Sequence, residues 1–197
     1  SLLDSLIKYD KKKINIENYS LNNIWNNKKL NEKDFKNLNS FFWLFSLDLK
    51  SSKIATQNII LQWIDKNYKY TSKSWEVDIV AKRIISWISN SKLTYEDSKN
   101  EYRDKFNSII RKQINHLVNE IERTEWVDDK MIGCAAIILT GLSYEDKDGY
   151  LKTGLNLLKK LTKFSFDSDG FPKSRNIRQL NFYLKYFILI REWFKES

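Results

Sequence analysis

The sequence predicts an all-α protein. It contains only five glycines and one proline in 197 residues, whereas sandwiches and barrels need many tight turns built from these residues. Between these breakers, apolar residues recur at helical spacing over long intervals, and residues that favour helix N-termini precede several of the intervals. Short connectors between such helices place neighbours antiparallel. We therefore expect antiparallel helical hairpins.

The composition indicates one folded body of ordinary size. A chain of 197 residues is large for one domain and small for two, so we expect an irregular N-terminal segment over 1–30 that wraps on a helical domain over 31–197. Seven Trp, ten Tyr and eleven Phe exclude a disordered tail. No apolar run reaches the roughly 18 residues that a membrane span requires.

The first two helices follow clear start signals. Asn31 is a predicted N-cap, and Asp34, three residues later, stands at the position of the reciprocal partner in a capping box. An apolar stripe then continues from Phe35 through Phe45, which predicts a helix over that stretch. The next helix is expected to begin at Ser51 or Ser52 and to run to about residue 67.

The middle of the chain predicts one buried helix and one long amphipathic helix. Ser74 precedes a segment over 75–89 whose apolar residues cover more than one face, which is typical of a buried helix. Thr94 begins a sequence typical of a capping box and is expected to open a helix of about seven turns. The apolar stripe of that helix runs from Tyr102 to Ile121.

The last third of the chain predicts three more helices. The segment 127–142 is almost entirely apolar after Lys130, so we expect an inner helix. Ser143 repeats the cap pattern and is expected to open an amphipathic helix. The final helix is expected to begin at Asn176 or Arg178 and to end at Lys195. Its predicted inward residues are Leu180, Tyr183, Leu184, Phe187, Ile188 and Ile190.

The net charge of +9 suggests attraction to polyanions. Lysine is scattered along the whole chain, and the sequence has no Arg-rich helix, no zinc-finger spacing and no aromatic RNA-binding signature. Binding of nucleic acid is therefore a minor hypothesis, beside attraction to another polyanion. The single His116 and single Cys134 supply no metal-ligand set, so no metal or other cofactor is predicted. The apolar sequence around Cys134 indicates a buried small side chain instead of a nucleophile.

Five sequence segments occur in an order that resembles a known family. They are Asn39-Ser-Phe-Phe-Trp43-Leu, Trp63-Ile, Trp75 with Ile79-Val-Ala-Lys-Arg83-Ile-Ile-Ser-Trp87, Ala135-Ala-Ile-Ile-Leu-Thr-Gly141-Leu, and Asp169-Gly170 with Ser174-Arg175-Asn176. In this order they resemble the α-helical N-terminal half of heparinase II/III-like proteins, a bacterial polysaccharide lyase group. The resemblance covers about residues 38–194.

The resemblance implies a fold, a ligand and a location. Members of the family form an incomplete (α/α) toroid that binds acidic, uronate-containing polysaccharide such as glycosaminoglycan in a groove between helix ends. The toroid is normally followed by a C-terminal β-sandwich, and the present chain ends before any strand-rich region, so a domain of a longer protein is expected. A periplasmic location is implied by the resemblance alone.

The resemblance also bears on catalysis. Lyases of this family use an Asn-His pair to neutralise the uronate carboxylate and a Tyr or His as base and acid for β-elimination. Alignment on 135–141 puts Asp128 and Asp129 where the Asn-His pair is expected, and alignment on Asp169-Gly170 puts Gln179 near the Tyr position. Two functions stay open: a polysaccharide lyase, or a carbohydrate-binding or scaffold domain that has lost the lyase residues.

The polar loop before the last helix is the main candidate site. It contains Lys173, Arg175, Asn176 and Arg178, next to the only proline. Arg175 is suited to bidentate contact with a carboxylate or sulfate, and Asn176 to donation from its amide. The alternative is that Asn176 caps the last helix and Arg175 is solvated.

Four other positions have both a functional and a structural interpretation. Arg83 lies on an apolar helix and needs an anionic partner, either a substrate or a structural carboxylate such as Asp78. Trp126 precedes a helix and is a candidate for stacking on sugar, whereas Trp75 and Trp87 have the spacing of core residues. Asp128 and Asp129 suit either an acid/base pair or a first helical turn. His116 follows Asn115 in mid-helix, where a structural role is favoured.

Overall fold

The structure, a computed structural model, describes residues 24–26, 30–48, 53–70, 73–145 and 149–197. Within these ranges the chain forms eight α-helices and no β-strand, which confirms the all-α prediction. The helices are α1 (Glu32–Ser40), α2 (Lys53–Asn67), α3 (Val77–Ser89), α4 (Ser91–Thr94), α5 (Asn100–Glu120), α6 (Val127–Ser143), α7 (Tyr150–Ser165) and α8 (Ile177–Glu196). Two 3₁₀ helices, Ile24–Asn26 and Phe42–Ser46, precede α2.

The chain divides into two compact units, residues 1–113 and 114–197. Helix α5 contributes its residues 100–113 to the first unit and 114–120 to the second. Most of the N-terminal wrap predicted over 1–30 lies outside the described residues. No helix in the described part of the chain is long and apolar enough to cross a membrane.

Helix α1 begins where the sequence predicts and ends earlier. The side chain of Asn31 accepts a hydrogen bond from the Asp34 amide at 2.9 Å and donates one to the Asp34 carboxylate at 2.8 Å. The helix stops at Phe41, which adopts the left-handed conformation with φ 58°. The predicted continuous helix through Phe45 is therefore wrong, because this bend redirects the chain into a 3₁₀ helix and leaves Phe45 exposed.

The bend at Phe41 places its side chain in the aromatic core of the first unit. Its buried ring stacks on Trp25 with 5.4 Å between centroids and meets Trp63 and Trp87 edge-on at 6.1 and 5.1 Å. Aromatic pairs in such offset and edge-to-face arrangements stabilise a core beyond the area that they bury. Trp63 and Trp87 lie on α2 and α3, so the bend inserts one ring between two helices.

Two predicted helix starts in the first unit are shifted. Helix α3 begins at Val77 instead of following Ser74, whose backbone lies in a turn. Thr94 ends the short helix α4, because its hydroxyl donates back to the carbonyls of Trp87 and Asn90 at 2.7 and 3.1 Å. The long helix therefore starts at Asn100, six residues beyond the predicted cap at Thr94.

The second unit is organised around α6. Eleven consecutive residues of this helix, Met131 to Gly141, are buried, which confirms an inner helix. It packs against both α7 and α8. Helices α6 and α7 approach closely at Gly141 because glycine has no side chain. A Cβ at this position would lie 2.5 Å from the Leu151 backbone nitrogen. Glycine is thus the residue that lets these two helices touch.

The second unit differs from prediction at two places. Ser143 ends α6, and α7 begins only at Tyr150, so the predicted cap at Ser143 is wrong. On α8, Tyr183, Tyr186 and Ile190 are buried as a helical stripe. Leu184 and Ile188, predicted to face inward, are 43% and 52% exposed. The buried face of α8 is therefore centred on Tyr186, and it is rotated about the helix axis away from Leu184 and Ile188.

Candidate functional site

One end of the second unit brings the N-termini of α6 and α8 together. The amide of Gln179, in the first turn of α8, donates to the Asp128 carboxylate, in the first turn of α6, at 3.1 Å. Because α7 runs between them in the chain, α6 and α8 point in the same direction and present their N-termini at this end. Helix N-termini carry partial positive charge and free N–H groups, which favour anions.

The loop over 166–176 between α7 and α8 is built on Asp167. One carboxylate oxygen of this residue accepts the backbone N–H groups of Asp169 and Phe171 at 3.1 and 2.9 Å. The N–H bond from Phe171 above all, with that from Asp169 and the nearby Arg175 guanidinium, lowers the pKa of Asp167 below its ordinary value, against an opposing effect of burial. A backbone pairing between Phe166 and Pro172 closes the loop.

Arg175 is held in place by the loop itself. Its guanidinium pairs with the other Asp167 oxygen at 2.8 Å and lies 5.8 Å from the centre of the Phe171 ring. Its backbone is left-handed, with φ 55°. The side chain is 68% exposed, so the predicted solvated Arg175 is present, and one edge of its guanidinium faces a carboxylate of the same loop.

The other predicted loop residues lie beside Arg175. Asn176 is the N-cap of α8, with its side-chain oxygen accepting from the Arg178 amide at 3.0 Å, so the capping interpretation of this residue is confirmed. Lys173 and Arg178 are exposed. Lys173 Nζ reaches the carbonyl of Lys163 at 3.2 Å. The loop and the first turn of α8 thus present three cationic side chains, Lys173, Arg175 and Arg178, which together we call the cationic loop.

Trp126 lies at the same end. It is the residue before α6 and is 74% exposed, whereas Trp75 and Trp87 are buried as core residues. An indole that is this exposed can stack on a planar or ring-shaped ligand. Trp126 lies at the N-terminus of α6 and the cationic loop lies at the N-terminus of α8. The first turns of these two helices are joined by the hydrogen bond between Gln179 and Asp128.

A polar network joins the loop to α6 and was not predicted. The Ser174 hydroxyl donates to Gln179 Oε1 at 2.5 Å, and Gln179 in turn donates to Asp128. The sequence did carry a signal, because Gln179 stands three residues after the N-cap Asn176, the position from which Gln reaches back in a capping box. The positions that the resemblance assigns to Asn-His and Tyr therefore hold a hydrogen-bonded Asp128–Gln179 pair.

Two buried hydroxyls lie beneath this network. Tyr183 Oη and Ser165 Oγ are both buried, and neither makes a hydrogen bond of good geometry, although Ser165 and Asp128 lie close enough to Tyr183 to interact with its hydroxyl. Burial raises the pKa of Tyr183, with a smaller opposing effect of Ser165 and a raising effect of Asp128. A neutral phenol at this position is suited to donating a hydrogen bond. Tyr183 was predicted only as a core residue.

Arg83 lies in the other unit and is completely buried. Its guanidinium donates to Gln113 Oε1 at 2.6 Å, to the Asn39 carbonyl at 2.9 Å and twice to the Ser74 carbonyl at 3.1 Å. It also lies 4.0 Å from the centre of the Trp63 ring. Asp78 pairs with Lys82 at 3.0 Å, so the suggested Arg83–Asp78 ion pair is wrong.

The remaining candidates are accounted for within the second unit. Asn115 accepts a hydrogen bond from the Tyr150 hydroxyl at 2.7 Å. Asp128 and Asp129 lie in the first turn of α6, as the helix-dipole interpretation expects. Cys134 is buried, which confirms the predicted buried small side chain, and burial raises the pKa of its thiol to about 12. Among the described residues, no cluster of three or more His, Cys, Asp or Glu could hold a metal ion.

Comparison with known proteins adds no relative. No family model, curated protein or solved structure matches the chain. What this site could bind must therefore be inferred from its own geometry. The described end offers cationic and amide donors and an exposed indole, a set suited to binding an anionic, hydroxyl-rich ligand.

Proposed function

We propose that the chain binds acidic, uronate-containing polysaccharide at the end of the second unit, as the helical domain of a heparinase II/III-like protein. The observation that carries the proposal is the convergence of the cationic loop and Trp126 at the paired N-termini of α6 and α8. Carboxylates and sulfates are the anions that guanidinium groups and helix N-termini recognise. The incomplete (α/α) toroid and a β-sandwich in the parent chain belong to the same proposal.

Two versions of this function differ in their chemistry. In the lyase version, the polysaccharide is cleaved by β-elimination, which needs a neutraliser for the uronate carboxylate and a base for the C5 proton. In the binding version, the domain holds the polymer without cleaving it. The Asp128–Gln179 hydrogen bond favours the binding version, because a carboxylate repels a uronate and a glutamine amide does not accept a carbon-bound proton at neutral pH.

Binding is tested by removing charge from the cationic loop. We expect the double variant Lys173→Gln/Arg178→Gln to bind heparan sulfate and alginate about tenfold more weakly, because two exposed ionic contacts contribute about 0.2–1 kcal/mol each and tenfold corresponds to about 1.4 kcal/mol. Isothermal titration calorimetry at fixed ionic strength measures this. Arg175 is left intact because Asp167 holds it.

The matched control removes the same charge elsewhere. Lys92→Gln/Lys99→Gln changes two exposed lysines of the first unit and should leave both affinities within about twofold. Equal losses in the two double variants would mean attraction by net charge alone and would contradict a site. The lyase version predicts an unsaturated product that absorbs in the ultraviolet, and bound polymer without such absorbance supports the binding version.

A further inference from the structure

The most exposed large apolar side chains of the second unit lie at one end of it. Four of them are exposed by 56–74%: Trp126, Phe164, Phe171 and Ile177. Large apolar residues elsewhere in the described part of this unit are at most 52% exposed. Single apolar side chains are ordinary on a protein surface, but a group of them at one end indicates an interaction surface.

The four side chains come from elements that meet at this end. Trp126 precedes α6, Phe164 is in the last turn of α7 and Ile177 is the first residue of α8. Phe171 lies in the loop between α7 and α8, and this loop pairs with the end of α7 through its backbone. The first turns of α6 and α8 are hydrogen-bonded to each other. We call these four side chains the apolar tips.

Cationic side chains stand between the apolar tips. Residues 163–178 contain four cationic and two acidic side chains. The cations are those of the cationic loop together with Lys163, which is exposed in the last turn of α7. One of the two carboxylates, that of Asp167, is already paired with Arg175. The acidic Glu125 and Asp128 lie on the α6 side, so the excess of positive charge belongs to the loop side of this end.

The tip of the loop satisfies its own backbone groups. The amides of Asp169 and Phe171 donate to the Asp167 carboxylate. The amide of Asp167 donates to the Phe171 carbonyl at 2.9 Å, and that of Gly170 to the Asp167 carbonyl at 3.2 Å. A Cβ at Gly170 would meet no atom within 4 Å, so this tip is open to its surroundings. Because an unpaired amide is costly in a medium of low polarity, this tip is suited to entering one.

The residue types at this end are those that proteins place at a bilayer surface. Trp and Phe occupy the boundary between lipid headgroups and acyl chains, while Lys and Arg extend aliphatic stems along it and keep their charge at the headgroups. Anionic lipids attract each such cation. A sugar ring accounts for the whole set less well, because Ile177 offers no flat face on which a ring can stack.

We propose that this end of the second unit docks on the surface of an anionic lipid bilayer. The apolar tips enter the headgroup boundary, and the cations of the loop and Lys163 contact the phosphates and carboxylates of the lipids. This inference goes beyond the proposed function and does not rest on it, since it uses only the exposure, charge and backbone pairing of the described residues.

Sedimentation of the full chain with lipid vesicles tests the proposal. We expect binding to vesicles of equal parts phosphatidylcholine and phosphatidylserine, and much weaker binding to phosphatidylcholine alone. Phe164→Ala/Ile177→Ala should weaken binding to the mixed vesicles about tenfold, because two apolar side chains would no longer be withdrawn from water. The matched control Ile188→Ala/Phe194→Ala removes two exposed apolar side chains farther along α8 and should stay within about twofold of the unaltered chain.

The position of Trp126 gives a second measurement. Bromine atoms on lipid tails quench the fluorescence of an indole that reaches them, so brominated phosphatidylcholine in the mixed vesicles should quench part of the emission. That quenching should be lost in Trp126→Leu while vesicle binding is retained, because leucine is still apolar and the Trp residues of the first unit's core are buried. Quenching that persists in this variant would contradict insertion of Trp126. Circular dichroism checks that each variant is folded.

Three results would overturn membrane docking. The first is a chain that does not bind the mixed vesicles. The second is undiminished binding by Phe164→Ala/Ile177→Ala, which would leave attraction by net charge alone. The third is an equal loss of affinity for heparan sulfate and for vesicles in that variant, which would place the two side chains on the polysaccharide. A chain that binds vesicles through the apolar tips but does not bind heparan sulfate would support membrane docking and contradict the proposed function.

Discussion

The two units place their polar groups in opposite ways. The first unit buries them: Arg83, Gln113, Ser74 and Asn39 lie inside an aromatic core. The second unit has an aliphatic centre, with Ala, Ile and Leu along α6, and presents the cationic loop and one exposed Trp at a helical end. Buried polar groups contribute to one fixed arrangement of helices, whereas exposed groups on a rigid support are available to a ligand. On the proposed function, the first unit maintains the shape of the protein and the second unit binds the ligand.

The largest expected effect lies in the first unit. Arg83→Met should destabilise it by about 3 kcal/mol, because Gln113 Oε1 and the carbonyls of Asn39 and Ser74 would lose their donor in a buried environment. Urea unfolding followed by tryptophan fluorescence reports on this unit through its buried Trp43, Trp63, Trp75 and Trp87. An unchanged urea midpoint would mean that the Arg83 guanidinium does not stabilise the first unit.

The second unit should respond most to added volume at its centre. Gly141→Ala places a methyl group 2.5 Å from backbone of α7 and should cost about 2 kcal/mol, because the helices must separate. The control is Gly133→Ala on the same helix, where the nearest atom, at 2.6 Å, is the mobile end of the Ile121 side chain. There the gain in helix propensity, up to about 1 kcal/mol, offsets the contact. Thermal unfolding by circular dichroism compares the two, and equal losses would contradict the close α6–α7 approach.

The smallest effect compares one buried tyrosine from each unit. The Tyr102 hydroxyl donates to the Thr94 carbonyl at 2.7 Å, so Tyr102→Phe should destabilise by about 1 kcal/mol. Tyr183 makes no hydrogen bond of good geometry, with Ser165 and Asp128 only nearby, so Tyr183→Phe should be neutral or stabilising, within about 0.5 kcal/mol. Chemical denaturation of both variants measures the difference. A loss at Tyr183 as large as that at Tyr102 would mean that the Tyr183 hydroxyl is hydrogen-bonded, for example to Asp128 or Ser165, and would contradict this prediction.

Much of this architecture was predictable from local patterns. Periodicity and the scarcity of glycine and proline predicted the helices, and the Asn31 and Asn176 caps fall where they were expected. The errors arise where tertiary contacts overrule a local signal. Thr94 resembles a cap in sequence, yet its hydroxyl is used by the carbonyls of the preceding helix. Phe41 ends α1 in a conformation that is unusual for phenylalanine, because its ring is needed in the core.

The candidate site was predictable as a set of residues but not as a geometry. The sequence indicated Lys173, Arg175, Asn176, Arg178 and Trp126, all in the second unit, and also Arg83, which lies in the first. One sequence cannot reveal that Gln179 reaches Asp128, because the two are separated by 51 positions in the chain. Pairing across such a distance is set by how α6 and α8 pack.

The left-handed backbone at Arg175 has a consequence for engineering. At φ 55° a glycine would sit without strain, whereas a residue with a Cβ costs about 1 kcal/mol or more. Arg175→Gly should therefore relax the backbone while removing the partner of Asp167 and the cation over Phe171. A protein selected only for thermal tolerance would drift towards glycine at this position, and one selected for retention on an acidic polymer would keep the arginine.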